Sequence, residues 1–235
     1  MIEHRPFLAL GAIRRGSVDV RQHFRAGDSG HADHAPLGPL YMWSDVEFAP
    51  HSGLGPRAHR HVEIVTWVRS GAITYEDDTG NRARLVADSV HVISAGAAIH
   101  HAERNEENLP ARQFQIWLRP HTPASTPRCA TRVCSPGCRE GRFVTLASGD
   151  PADVRAGALP IHADARVRIA TLREGTAMQH VLPMPGSAYL VADHGQLDVG
   201  PIRLARRDGI AIRDEARLVL RARDDTDVVI VELLR

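Results

Sequence analysis

Nothing in the chain is apolar for long enough to span a bilayer as a helix. Charge of one sign is not in excess either. The 29 basic and 28 acidic residues are interspersed and leave a formal net charge of +1, which announces neither a nucleic-acid surface nor an anionic-membrane surface. Cysteine is scarce. Cys129, Cys134 and Cys138 are odd in number and clustered, unlike the disulfide framework of a secreted domain. Their spacing lacks a fourth ligand and matches no common zinc pattern, so they read as small thiols in a connecting segment. The opening "MIEHRPFLAL" has no long apolar core and no small-residue cleavage site, and the expected location is the cytoplasm. Long helical periodicity is also missing, which leaves strands to build the fold.

With 235 residues there is room for one large β domain or two small ones. "SVDVRQHF" (17–24) alternates apolar and polar residues as a half-buried strand does. "RAGDSGHADHAPLGPL" (25–40) reads as a loop, and "LYMWSDVEF" (40–48) as a strand. The run 63–86 predicts strand, Gly turn, strand and a "DDTGN" hairpin, and "SVHVISAGAAIHHAE" and "ARQFQIWLRP" predict two more strands. A Pro-rich break covers 120–141. Beyond it, segments such as "RVRIATL", "SAYLVADHGQLDV" and "TDVVIVELL" restore the β pattern. The organisation expected is an N-terminal domain over 1–125, a linker over 126–141 that holds a helix or two, and a C-terminal domain over 142–235. Each domain would be a β barrel or sandwich.

Histidine is unusually frequent, at 14 residues. His31 and His34 lie in the polar loop and read as solvated. His162, His180 and His194 form no ligand-like pair, so no metal is expected in the second half. The informative groups are "PRAHRHVEIVTW", with His59 and His61, and "IHHAE", with His101 and Glu103. Alternation along a strand puts residues two apart on one face, so each pair can aim at a common ion, whereas His100 should face away. Imidazoles with one carboxylate suit Fe, Mn, Co, Ni, Cu or Zn rather than Mg or Ca. The alternative is ordinary surface or core histidines. Trp43, Trp67 and Trp117 fall in strands; core packing is their default role, with the rim of a pocket as the other.

"EIVTWVRSGAITYEDDTGN", "VISAGAAIHHAE", "FQIWLRP" followed by "TPR", and "DGIAIRDEARLVL" together resemble the pirins, or pirin-like bicupins, a family that includes bacterial quercetinases. The resemblance implies an all-β bicupin of two tandem double-stranded β-helix barrels, with one iron-like ion in the N-terminal barrel. It also implies a ligand set of two histidines from an HPH motif plus the histidine and glutamate of HxE. The second pair matches His101 and Glu103. In the first pair His59 matches, but Arg57 stands at the other ligand position, and arginine has no lone pair to offer. His61 shares the face, yet a two-residue step of about 6.5 Å is long beside a ligand bond of about 2 Å. Two site readings follow: His59, His61, His101 and Glu103 in altered geometry, or His59, His101 and Glu103 alone. Arg57 would then hold an anion or block the site.

The functional expectation is a dioxygenase acting on a flavonol such as quercetin, with Glu103 as ligand and base. The alternatives are a metal-free cupin holding a small aromatic or acidic ligand, and a regulatory protein with a protein partner. Direct nucleic-acid binding and membrane association are not expected.

Overall fold

The computed structural model describes residues 1–24, 34–122, 126–183 and 186–234. In chain order the first half contains β1 (Ile2–Arg5), β2 (Gly11–Arg15), β3 (Val18–Gln22), β4 (Leu40–Phe48), β5 (Ser52–His59), β6 (Glu63–Ser70), β7 (Ala72–Asp77), β8 (Arg82–Val86), β9 (Ser89–Ser94), β10 (Ile99–Asn105), β11 (Ala111–Leu118) and β12 (Arg128–Val133). The second contains α1 (Pro136–Arg139), β13 (Val144–Ser148), α2 (Pro151–Arg155), β14 (Leu159–Pro160), β15 (Ala165–Leu172), β16 (Ala177–Val181), β17 (Ala188–Ala192), β18 (Leu197–Val199), β19 (Ile202–Leu204), β20 (Gly209–Ile212), β21 (Arg217–Ala222) and β22 (Thr226–Leu233). No helix among the described residues is long and apolar enough to cross a membrane.

Each half pairs a seven-stranded sheet with a four-stranded one. In the first half the large sheet runs β12-β9-β6-β11-β4-β3-β2 and the small one β5-β10-β7-β8. In the second they run β1-β20-β17-β22-β15-β13-β14 and β16-β21-β18-β19. This is the all-β, two-barrel architecture expected of a bicupin. The predicted "DDTGN" hairpin joins β7 to β8, whereas the Gly turn before it, and the Gly/Asp turns of "VADHGQLDVG" and "RRDGIAIRDEARLVL", link strands of different sheets rather than forming hairpins. Gly71, at φ +73°, turns β6 into β7, and a Cβ there would press on the backbone of Pro110 and Ala111.

The two large sheets pack against each other, so their central strands are buried on both faces. On β6, Val65 and Trp67 enter the core shared between barrels, while Ile64 and Val68 enter a core within the first barrel. On β22, Val229 and Val231 face the shared core, while Val228 and Ile230 fill the second barrel. Two-sided burial explains the near-continuous apolar runs "EIVTWV" and "TDVVIVELL". Trp43 and Trp67 are core residues.

Buried ion pairs close the shared face. Arg139, from α1, donates to Asp88 Oδ1 of the first barrel at 2.7 Å and to Asp227 Oδ2 of the second at 2.9 Å. Its Nε donates to Thr171 Oγ1 at 3.0 Å. Elsewhere on the same face, Asp45 accepts from Arg69 at 2.7 Å and from Arg207 at 2.6 Å.

Three expectations need correction. The first strand does not stay in the N-terminal unit: β1 pairs with β20, from Ile2 opposite Ile212 to Arg5 opposite Gly209. The segment 126–141 is not only a linker, because β12 lies within it and extends the first large sheet along β9. Its prolines stand outside 128–133, so that stretch keeps the backbone donors a ladder needs. His34 is buried rather than solvated; His31 lies outside the described residues. The cysteines are free thiols, with Cys129 half-buried in β12, Cys134 buried and Cys138 exposed.

Arg139→Ala leaves the Asp227 carboxylate in a dry interface without its cation. Breaking one side of a buried pair costs about 3–5 kcal/mol. Equilibrium denaturation is expected to register a loss of that size, and a loss under about 1 kcal/mol would mean that Arg139 does not hold the barrels together.

Candidate metal centre in the N-terminal barrel

Strands β5 and β10 run antiparallel, with Ile99 opposite His59 and His101 opposite Arg57. The register then shifts, so that Glu103 faces Leu54. The extra residue falls at Gly55-Pro56, where a bulge is tolerated because Pro has no ladder donor to lose. Upstream of the bulge Leu54 is buried; downstream the buried positions are Arg57, in part, and His59.

His59, His101 and Glu103 are all buried, and the rings of His59 and His101 stack with centroids 4.6 Å apart. His61 does not join them. Strand β5 ends at His59, and His61 follows in a left-handed turn at φ +50°, exposed, its backbone N–H donating to Gly96 O at 2.9 Å. His100 is likewise exposed and bonds Asp78 at 2.7 Å.

The carboxylate of Glu103 accepts from Gln113 Nε2 and Gln115 Nε2, each at 3.1 Å. Gln115 Oε1 in turn accepts from Trp117 Nε1 at 3.0 Å. Burial pushes the Glu103 carboxyl up, against the opposing pull of the Arg57 cation and the two amides. Burial also draws Arg57 below its usual value. A cavity of about 470 Å³ opens here, with Arg57, Glu103, Gln115 and Trp117 in its wall.

The rings of His59 and His101 are both held at about 4, by burial first and by neighbouring cationic groups second. They are therefore neutral at pH 7, with lone pairs available. His59 Nε2 and both ring nitrogens of His101 are buried without a hydrogen-bond partner. Buried imidazole nitrogens left unpaired are costly, and a cation is the partner that two neutral imidazoles and a carboxylate would suit. The donor types thus fit a divalent transition metal in a three-ligand site, with Arg57 where a fourth imidazole would stand. The donor atoms are not drawn together in a closed cluster. The one group among the described residues whose ligand atoms all lie within 4.8 Å of one another is Asp193, His194 and Asp227. There both carboxylates already pair with arginines, Asp193 with Arg69 and Asp227 with Arg139, so their charge is neutralised and an added cation has little to gain.

Sequence reasoning missed four inward residues. His91 is buried, bonds Thr131 Oγ1 at 2.7 Å and leaves Nε2 unpartnered. Tyr75 lies between the rings of His91 and His101, with centroids at 4.4 and 5.5 Å, and donates to Asp77 at 2.7 Å. Gln113 and Gln115 hold Glu103. The available signal was parity: His91 alternates with Val90 and Val92, which face the other barrel.

The profile of the pirin family matches residues 9–118, and that of the quercetinase C-terminal cupin domain matches 145–233. The chain belongs to the pirin family. A pirin-like protein of Caulobacter vibrioides is 41% identical over 232 residues, 99% of each chain. A quercetin 2,3-dioxygenase of Escherichia coli is 25% identical, over 89% of this chain and 96% of its own. Among solved structures, the E. coli pirin YhhW in complex with nickel(II) superposes with a TM-score of 0.91 at 24% identity, over 99% of both chains. That superposition bears on the bicupin fold alone.

The neutral rings set an acid sensitivity. An unfolded histidine titrates near 6.5. Below that pH the unfolded chain takes up protons that the folded rings refuse. Stability is thus whole above about 6.5 and is lost as pH falls toward 4. Glu103, raised by burial, acts in the opposite sense, so the readout is the difference between wild type and His101→Asn. In metal-free protein the denaturation midpoint of wild type is expected to fall more between pH 7 and pH 4.5 than that of the variant. Parallel curves would mean that His101 is not held neutral.

Proposed function

We propose that this pirin-family cupin binds one divalent transition-metal ion through His59, His101 and Glu103, and that it oxygenates a small aromatic substrate of flavonol type in the adjoining cavity. The observation that carries the reading is the pair of buried, neutral, unpartnered imidazoles beside a buried carboxylate. The name of the E. coli relative supports the substrate class, and the nickel in YhhW supports a first-row metal, with iron as the resemblance's own expectation. When bound, the ion would supply Lewis acidity and open positions for a chelating substrate.

The chain's own groups prepare the rest. Gln113 and Gln115 fix the Glu103 carboxylate, whose raised pKa suits it to accept a substrate hydroxyl proton. Trp117 and Tyr41 give the cavity wall aromatic surface for an aromatic guest, and Val46 and Leu54 add apolar wall. A second reading is favoured by Arg57, whose charge repels an ion: a metal-free cupin that binds a small acidic ligand, with a regulatory role.

Elemental analysis of purified protein separates the two. Close to one ion per chain is expected in wild type, with little left in His101→Ala. Gln115→Leu, which frees the carboxylate, is expected to weaken metal affinity about 10- to 100-fold. Wild type without metal, beside a filled Arg57→His variant, would sink the metal reading and leave the second.

A further inference from the structure

The cavity beside Glu103 is charged in a way that an aromatic substrate alone does not explain. Its wall contains three guanidiniums, from Arg15, Arg57 and Arg119, against the single carboxylate of Glu103. That carboxylate is already occupied by two amides. None of the three arginines is in an ion pair among the described residues; Arg57 is half-buried, and Arg15 and Arg119 are exposed at the mouth. Arg57 Nε is buried and has no partner. Arg15 is near enough to Arg57 to oppose its charge, and Glu103 is the one carboxylate in the wall to set against the three cations.

Two like charges at the mouth of a partly dry cavity are costly unless a ligand supplies the counter-charge. A guanidinium offers a planar fork of donors that matches a carboxylate. The other walls say what the carboxylate is attached to. Trp117 stands edge-on to Tyr41, with centroids 6.2 Å apart, and Arg119 lies over the Tyr41 ring at 5.3 Å. Ile13, Val20 and Leu54 add aliphatic surface. About 470 Å³ has room for a single- or double-ring molecule.

We infer that the ligand of the N-terminal barrel is an aromatic carboxylate, its acid group held by Arg57 with Arg15 and its ring held between Trp117, Tyr41 and the aliphatic wall. The inference rests on the reading of this cavity as the substrate site and narrows the aromatic substrate to one that bears an acid. It does not need the metal, because the receptor is built from protein cations. Arg57 then has a purpose at a position where the resemblance implies a ligand histidine.

The test is calorimetric titration of the metal-stripped full-length protein at low salt with benzoate, benzyl alcohol and inorganic phosphate. Benzoate is expected to bind at least tenfold more tightly than either of the others, since one probe lacks the charge and the other the ring. Arg57→Gln should weaken benzoate at least tenfold and leave benzyl alcohol within about threefold. Arg15→Gln, at an exposed position, repeats the test without touching the buried site and should weaken benzoate by a smaller factor. Equal binding of benzoate and benzyl alcohol, no binding of benzoate, phosphate as tight as benzoate, or indifference of benzoate to both arginine variants would each overturn the inference. Metal content of the same protein before stripping reports on the other reading independently. Benzoate binding in a protein that never held metal keeps this inference and removes that one; a filled metal site with no benzoate binding does the reverse.

Discussion

The structure depends on one constraint: the central strands of the two seven-stranded sheets are buried on both faces. One face of each is committed to the shared core, where Trp43, Trp67 and Phe114 meet Val167, Tyr189 and Val229. Only the other face is left to line a barrel. In the second barrel that face is apolar over Leu190, Ile210, Val228 and Ile230, and its buried carboxylate, Glu232, is already paired with His180, Arg166 and Arg168. In the first barrel the corresponding face of β11 carries Gln113, Gln115 and Trp117, and β9 contributes His91. Polar groups pointing inward cannot close-pack as a core does, so a cavity and a buried donor set remain. The unpartnered inward imidazoles lie in the first barrel because of what its inward parity spells.

Rigidity at the shared face serves the site. Strand β11 presents Phe114 and Ile116 to the interface and Gln113 and Gln115 to Glu103. The side chains that orient the carboxylate are therefore fixed from behind by the second barrel. The ion pairs of Arg139 with Asp88 and Asp227, of Arg69 with Asp193 and of Arg207 with Asp45 cross between the barrels, so sliding of one sheet on the other would break charge pairs in a largely apolar contact.

The same two-sided burial set the limit of what could be read from sequence. The Gly71 turn and the "DDTGN" hairpin were legible because turn chemistry is local. His101 and Glu103 were legible because spacing of two on a strand survives folding. The roles of Gln113, Gln115 and His91 were not, because the usual rule sends the polar face of a strand to solvent, and here the apolar face meets another barrel instead. Strand β1 was hidden for a related reason: four residues carry no pattern of their own and become a strand only by pairing with β20, over 200 residues away. His61 looked like a replacement ligand because parity alone allowed it. The bulge that could have re-registered the strand exists, but at Gly55-Pro56, ahead of Arg57 rather than behind it.

Charge then decides how Arg57 and a metal ion can share the site. With His59 and His101 neutral, Glu103 and Arg57 balance each other, and a divalent ion adds its full charge to a buried place. A site with a histidine in place of Arg57 would hold the same ion with one positive charge fewer and one donor more. On the proposed reading, metal affinity would depend on an anion that offsets the guanidinium. Glu103 cannot serve both cations fully, because its oxygens are also held by Gln113 and Gln115. An acid drawn into the cavity would occupy Arg57, release Glu103 to the ion and lower the repulsion between the two positive groups. Ligand and ion would then favour each other's binding, and by linkage the coupling must be equal in both directions. The arginine that costs the site a donor would, on this argument, make it respond to its substrate.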